Sequence, residues 1–211
     1  MPFLRNATLA AVFCSLPCVA FAQEVPPPGF DVRGGDFPVL VSDTGLPPPL
    51  DEACEAEPPG CEAVRARRVD ELPWPWRDAV DRIHLDCQSM PAPGADTELL
   101  AIVSTAFLKP DRARLAGHPI AEVRLMDSEL WGDHQYVIAA AYPEAARDLR
   151  TLVETDCLQR HLREEHAGAP ACSMQAQGDG LYLQIDEVSG VWIHADPDDS
   201  QRTIYAEAWA D

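Results

Sequence analysis

Residues 180–209, GLYLQIDEVSGVWIHADPDDSQRTIYAEAW, contain three runs in which apolar and polar side chains alternate. The runs cover residues 181–187, 191–195 and 203–209. Ser189-Gly190 separates the first two runs, and Asp196-Pro197-Asp198-Asp199 separates the second from the third. Both separators are rich in turn-forming residues. Alternation with a period of two between such turns predicts three antiparallel strands.

The predicted strands have two different faces. The core side is expected to carry Leu181, Leu183, Ile185, Val191, Ile193, Ile204, Ala206 and Ala208. The other side then collects Tyr182, Gln184, Asp186, Trp192, His194, Tyr205, Glu207 and Trp209. Aromatic residues are enriched where proteins contact one another, so this second face is a candidate partner-binding surface. The alternative is that it packs beneath another part of the chain.

The candidate partner-binding set combines that face with the acidic turn beside it. Its members are Tyr182, Asp186, Trp192, His194, Asp198, Asp199, Tyr205, Glu207 and Trp209.

Two amphipathic helices are predicted upstream of these strands. Residues 76–87 place Trp76, Ala79, Val80, Ile83, His84 and Cys87 at helical spacing. A second helix is predicted from Pro143 to about His166, with Leu149, Leu152, Val153 and Cys157 on its apolar stripe. Strands are predicted near residues 99–107, 120–127 and 136–142, and a turn at Trp131-Gly132-Asp133. The predicted fold is therefore α+β, an antiparallel sheet with two helices in the order α-βββ-α-βββ.

The first 22 residues have the pattern of a cleavable export signal. Arg5 supplies the positive end, residues 9–16 are apolar, and Ala20-Phe21-Ala22 gives a signal peptidase site before Gln23. The apolar segment is shorter than the roughly 20 residues of a membrane span. Arginine replaces lysine everywhere except at Lys109, which indicates a GC-rich bacterial source. We therefore expect a periplasmic or secreted bacterial protein.

A proline-rich arm of low order is predicted for residues 23–72, ahead of a single folded domain over residues 73–211. Tri-proline runs favour extended conformations and do not enter the interior of a sheet. One apolar cluster, residues 37–41, either docks on the body as an edge strand or belongs to a disordered tether. The proline density predicts that the arm can be removed without unfolding the domain.

Five cysteines follow the signal: Cys54, Cys61, Cys87, Cys157 and Cys172. Cys54 and Cys61 enclose a turn-forming segment, which favours a local disulfide. Cys157 and Cys172 flank the end of the second helix and form the expected second bridge, which leaves Cys87 as the unpaired thiol. Connectivity cannot be deduced from the sequence alone. Because no Cys-x-x-Cys spacing occurs, we expect no metal site.

The chain is strongly acidic, with 35 Asp and Glu residues against 16 Lys and Arg and a net charge of −19. Loss of the signal, which contains one arginine and no acid, makes the mature chain one unit more negative. Such a surface repels nucleic acids and anionic lipids, and it attracts a cationic partner or serves solubility alone.

The sequence contains no His-Glu-x-x-His, Gly-x-Ser-x-Gly or glycine-rich phosphate-binding motif. We therefore expect no catalytic residue and no cofactor. The leading hypothesis is a non-enzymatic envelope binding protein, such as an inhibitor or immunity protein that occludes a basic secreted toxin or cell-wall hydrolase. One alternative is a periplasmic enzyme with an acid–base site at His194, Glu207 and Asp186. The other is an envelope assembly or ligand-binding domain.

Overall fold

The computed structural model describes residues 29–42, 64–91, 98–128, 131–164 and 172–210. The strands are β1 (Phe30–Val32), β2 (Val41–Ser42), β3 (Arg65–Ala66), β4 (Val80–Pro91), β5 (Glu98–Leu108), β6 (Ala113–Leu115), β7 (His118–Asp127), β8 (Trp131–Ile138), β9 (Gln175–Gln177), β10 (Gly180–Gln184), β11 (Ser189–Ala195) and β12 (Thr203–Ala210). The helices are α1 (Trp76–Ala79) and α2 (Tyr142–Glu164).

Ten of the described strands form one large mixed sheet. Its main order is β4, β5, β7, β8, β12, β11, β10 and β9, and every pair along it is antiparallel. Strand β6 pairs with the beginning of β7, and β1 joins β6 in parallel. A separate small ladder joins β2 to β3. Helix α2 packs against β11 and β12, and we call the side of the sheet on which it lies the helix face.

The predicted α+β fold, an antiparallel sheet with two amphipathic helices in the order α-βββ-α-βββ, is wrong. The described residues are mostly β-structure, a mixed sheet of ten strands with two helices, because the first predicted helix is mostly a strand. Only residues Trp76–Ala79 are helical, and Val80 already has an extended backbone. Strand β4 continues for 12 residues and pairs with β5 along its length. Ile83, Leu85 and Cys87 alternate with charged or polar neighbours, so the segment fits a period of two as well as a helical period. Pairing with β5 selects the strand.

The other predicted elements agree more closely with the structure. Helix α2 confirms the second helix, and its stripe residues Leu149, Val153 and Cys157 are buried. Strands β5 and β7 lie where strands were predicted, and β10, β11 and β12 correspond to the three alternating runs. The predicted turn at Trp131-Gly132-Asp133 is wrong, because these residues begin strand β8.

Part of the predicted arm belongs to the core. Val32, Leu40 and Leu72 are buried in the same apolar cluster as the sheet residues. The Phe37 ring stacks on Tyr136 of β8, with ring centroids 4.3 Å apart. Residues 37–40 do not form an edge strand, although Val41–Ser42 pairs with β3. The cluster at residues 37–41 therefore docks on the helix face mainly through side chains.

This docking leads to a prediction about the contribution of the arm to stability. Leu40→Ala should lower the free energy of unfolding by about 2–5 kcal/mol, because it opens a cavity at a fully buried position. Val39→Ala is the matched control, since Val39 is 53% exposed and should change stability by less than about 0.5 kcal/mol. Urea unfolding of both variants measures the difference. Equal, small effects at the two positions would show that this segment does not contribute to the core.

Candidate functional site

The register of β12 divides the predicted partner-binding residues between two faces of the sheet. Tyr205 lies opposite Ile193, and Glu207 lies opposite Val191, so both belong to the helix face. Trp192 lies opposite Ala206, on the other side. The expectation that all eight side chains share one face is therefore wrong. The reason is that β12 is covered on both sides: Tyr205 is buried in the core of the helix face, and Ile204 and Ala206 are buried on the opposite face.

On the helix face, a cavity of about 410 Å³ lies between α2 and strands β11 and β12. This volume is within the range of roughly 300–1,000 Å³ typical of small-molecule sites. Strand β12 contributes Tyr205, Glu207 and Trp209 to its lining, and α2 contributes Asp156, Arg160 and His161. Asp186 lines it from the segment between β10 and β11. We call this the acidic cavity.

The acidic cavity has an excess of negative charge. Its described lining contains three carboxylates, Asp156, Asp186 and Glu207, against one guanidinium, Arg160. The indole of Trp209 lines the same space and offers an aromatic surface to which cations are attracted. Carboxylates beside an indole therefore favour a cationic group over an anion or a neutral ligand.

A buried tyrosine orients the carboxylate of Glu207. The hydroxyl of Tyr205 donates a hydrogen bond to Oε1 of Glu207 at 2.7 Å. Burial raises the pKa of Tyr205 well above its usual value, and the neighbouring Glu207 charge acts in the same direction. The phenol consequently stays protonated and keeps its donor directed at the carboxylate.

Glycine residues make room for the two β12 aromatic side chains. A Cβ atom at Gly34 would lie 2.3 Å from the hydroxyl oxygen of Tyr205, so only glycine allows this turn to approach. A Cβ atom at Gly132 would lie 1.9 Å from the Trp209 ring. Trp209 therefore lies across the backbone of β8, with its ring edge-on to His134 at a centroid distance of 4.4 Å.

The helical wall of the cavity is fixed to the segment before β9 by a disulfide and by the half-buried carboxylate of Glu154. Cys157 and Cys172 form a disulfide with Cα atoms 5.6 Å apart, as the sequence predicts. Glu154 accepts hydrogen bonds from Arg150 Nε at 2.8 Å and from the backbone N–H of Met174 at 2.9 Å. These contacts join the second half of α2 to the segment before β9.

Asp186 stabilises the loop between β10 and β11, which lies at the edge of the cavity. Its carboxylate accepts hydrogen bonds from the backbone N–H groups of Val188 and Ser189. A hydrogen bond from the Ser189 side chain, together with these backbone bonds, lowers the pKa of Asp186, and the charge of Arg160 acts in the same direction. Asp186 is therefore ionised at neutral pH.

The remaining predicted residues lie elsewhere. Tyr182 and Trp192 contact edge-on at 4.8 Å on the opposite face, and Trp192 is 38% exposed. Nδ1 of His194 contacts the carbonyl of Ala195 at 2.8 Å. In the turn before β12, Asp199 pairs with Arg202 at 3.2 Å and Asp198 is exposed.

The acid–base set proposed for an enzyme is not assembled. Asp186 and Glu207 both line the acidic cavity, whereas His194 pairs across from Ile204 and so belongs to the opposite face. Asp156, Arg160 and His161, which come from α2, were not predicted as site residues. The sequence could have indicated them, because all three lie within four positions of Cys157 on the predicted helix and therefore near the predicted disulfide.

Cys87 corrects one further expectation. It takes part in a disulfide, so the prediction that it is the unpaired thiol is wrong. Because Cys157 and Cys172 bond to each other, the partner of Cys87 lies outside the described residues. The predicted Cys54–Cys61 bridge and the signal sequence also lie outside them.

Comparison with known proteins identifies no relative. No protein-family model, curated protein or solved structure matches this chain. Across the described ranges, no helix is long and apolar enough to cross a membrane.

The Glu154 contacts generate a pH-dependent prediction. Desolvation raises the pKa of Glu154, but hydrogen bonds from Arg150 and Met174 outweigh it and bring the pKa below its ordinary value of 4.5. A lowered folded-state pKa adds stability above the unfolded-state value, and that stability is lost as the pH falls through the folded-state value. Glu154→Gln should therefore cost most at neutral pH and progressively less in acid.

Urea unfolding from neutral pH into acid measures the difference in free energy of unfolding between the wild type and Glu154→Gln. Glu187→Gln, at an exposed carboxylate, is the control. A wild-type advantage that stays constant from neutral pH into acid would contradict the assigned role.

Proposed function

We propose that this protein is an exported, non-enzymatic binding protein that captures a cationic partner, and that the acidic cavity receives a lysine or arginine side chain of that partner. The single observation that carries the proposal is the composition of the cavity, in which Asp156, Asp186 and Glu207 surround a space also lined by Trp209. A basic secreted toxin or cell-wall hydrolase would supply such a side chain.

The overall charge supports the same class of partner. A net charge of −19 speeds encounter with a cationic protein through long-range attraction. Near the contact, the desolvated indole and carboxylates would provide the short-range part of the affinity. The exposed Asp198 and the half-exposed Asp199 would act mainly on the association rate, as charges outside a buried contact usually do.

Binding is favoured over the catalytic alternative with His194, Glu207 and Asp186, because these three residues are divided between the two faces of the sheet. The only histidine of the suggested acid–base set, His194, lies across the sheet from Glu207 and Asp186. Glu207 is already engaged by the Tyr205 hydroxyl, which positions the carboxylate as a fixed charge.

The ligand class can be tested with small probes that represent one side chain. N-acetylarginine amide should bind the oxidised protein, and N-acetylcitrulline amide, which has nearly the same shape without the charge, should bind at least about tenfold more weakly. Glu207→Gln should weaken binding of the arginine probe by a similar factor, because it removes a carboxylate while keeping a hydrogen-bond acceptor. Chemical shifts in an NMR titration give both affinities.

Trp192→Ala is the matched control, since it removes an indole from the opposite face. Equal binding of the two probes would contradict recognition of a cation. Weaker binding in Trp192→Ala with no change in Glu207→Gln would move the site to the opposite face. Thermal unfolding of each variant confirms that it is folded.

The proposal includes export, which rests on Arg5, the apolar residues 9–16 and the Ala20-Phe21-Ala22 site. Expression in a bacterial host should yield mature protein that begins at Gln23 in the periplasmic fraction. N-terminal sequencing that returns Met1 would contradict it.

A further inference from the structure

Two sulfur atoms and one imidazole meet in the helical wall of the acidic cavity. The Sγ atoms of Cys157 and Cys172 and a ring nitrogen of His161 all lie within 4.8 Å of one another. Cys157 and His161 are four residues apart on α2 and therefore lie on the same side of the helix. The segment before β9 brings Cys172 to the same place.

His161 provides an independent sign that this cluster can take a ligand. Its Nδ1 atom is buried and has no hydrogen-bond partner among the described residues. Most buried polar atoms in proteins are hydrogen-bonded, and one that is not costs stability unless something else satisfies it. The imidazole beside the sulfur pair therefore has a ring nitrogen that no hydrogen bond satisfies, and imidazole is a common metal ligand.

We propose that reduction of the Cys157–Cys172 disulfide creates a Cys₂His site for a thiophilic divalent cation, with zinc as the best match. Thiolate and imidazole are the ligands that zinc prefers, whereas a disulfide offers no thiolate. No metal site was expected from the sequence, because it contains no Cys-x-x-Cys spacing. Here the second thiol is that of Cys172, which the fold places next to Cys157 on α2.

The chemistry requires a two-electron reductant, either a dithiol or the phosphine used in the test below, which takes up the oxygen of a water molecule and becomes a phosphine oxide. A dithiol transfers two electrons and two protons, the S–S bond breaks into two thiols, and the dithiol becomes a disulfide. Binding of the cation then releases one proton from each cysteine. In a tetrahedral zinc site the ligand atoms are about 3.5–4 Å apart, and the three ligand atoms here already lie within 4.8 Å of one another, so small side-chain movements suffice.

Three protein ligands leave a fourth position for an exchangeable ligand. Cys157 and His161 both line the acidic cavity, so that position is accessible from the cavity. The inference does not depend on the proposed function, since the arginine probe is tested on the oxidised protein and the metal on the reduced protein.

Cobalt(II) is a spectroscopic probe for such a site. The mature protein, reduced with a phosphine and titrated with Co²⁺, should develop a thiolate-to-cobalt charge-transfer band and the visible bands of tetrahedral cobalt, and Zn²⁺ should displace the cobalt. Oxidised protein should show neither band. His161→Ala should weaken cobalt binding at least about tenfold, because it removes one of three ligands. Cys172→Ser should abolish the tetrahedral spectrum.

Cys87 requires a specific control, because its own disulfide is also reduced under these conditions. The Cys87→Ser variant should keep the spectrum of the wild type. Loss of the bands in Cys87→Ser, or their survival unchanged in both His161→Ala and Cys172→Ser, would place the metal elsewhere and overturn the proposal. A reduced protein that is unfolded by circular dichroism and does not refold when zinc is added would also overturn it.

Discussion

The antiparallel register of β12 between β8 and β11 determines which side chains enter the core and which form the acidic cavity. β12 is hydrogen-bonded on both sides, with Tyr205 opposite Tyr136 on β8 and opposite Ile193 on β11. Because side chains alternate along a strand, a slip of one residue would exchange the two faces completely. The observed register directs Tyr205, Glu207 and Trp209 toward α2.

Close approaches at glycine support this register. Trp209 can lie over β8 only because Gly132 has no side chain, and Tyr205 meets the turn at Gly34 for the same reason. The second contact connects the N-terminal segment to the carboxylate of Glu207, since Tyr205 donates to that carboxylate. Phe37 continues this link by stacking on Tyr136. The segment that looks like a loose arm in the sequence thus forms part of the wall of the candidate site.

Local periodicity was enough to find the three C-terminal strands and helix α2, because each has a single dominant pattern. It failed for residues 80–91, where the same apolar residues fit a helix stripe and an alternating strand. Pairing with β5 selected the strand, and such pairing between separate segments cannot be read from the periodicity of one segment. Alternation also failed to define the faces of β12, because Tyr205 is buried on one side and Ile204 and Ala206 are buried on the other.

The candidate site was predictable only in part, because it depends on contacts between elements that are far apart in the sequence. Asp186, Glu207 and Trp209 were named as binding residues, but the residues from α2 that complete the cavity depend on how the helix docks on the sheet. His161 in particular becomes a candidate ligand only in the folded structure, where it lies beside the disulfide.

The most direct test of the account follows the individual indoles when a cation binds. The chain has five tryptophans, so labelling with 5-fluorotryptophan gives a fluorine NMR spectrum that can be assigned by single substitutions. On addition of N-acetylarginine amide, the account predicts a saturable shift of the Trp209 resonance while that of Trp192 stays unchanged. A shift of Trp192 with a silent Trp209 would contradict both the assignment of faces and the location of the site.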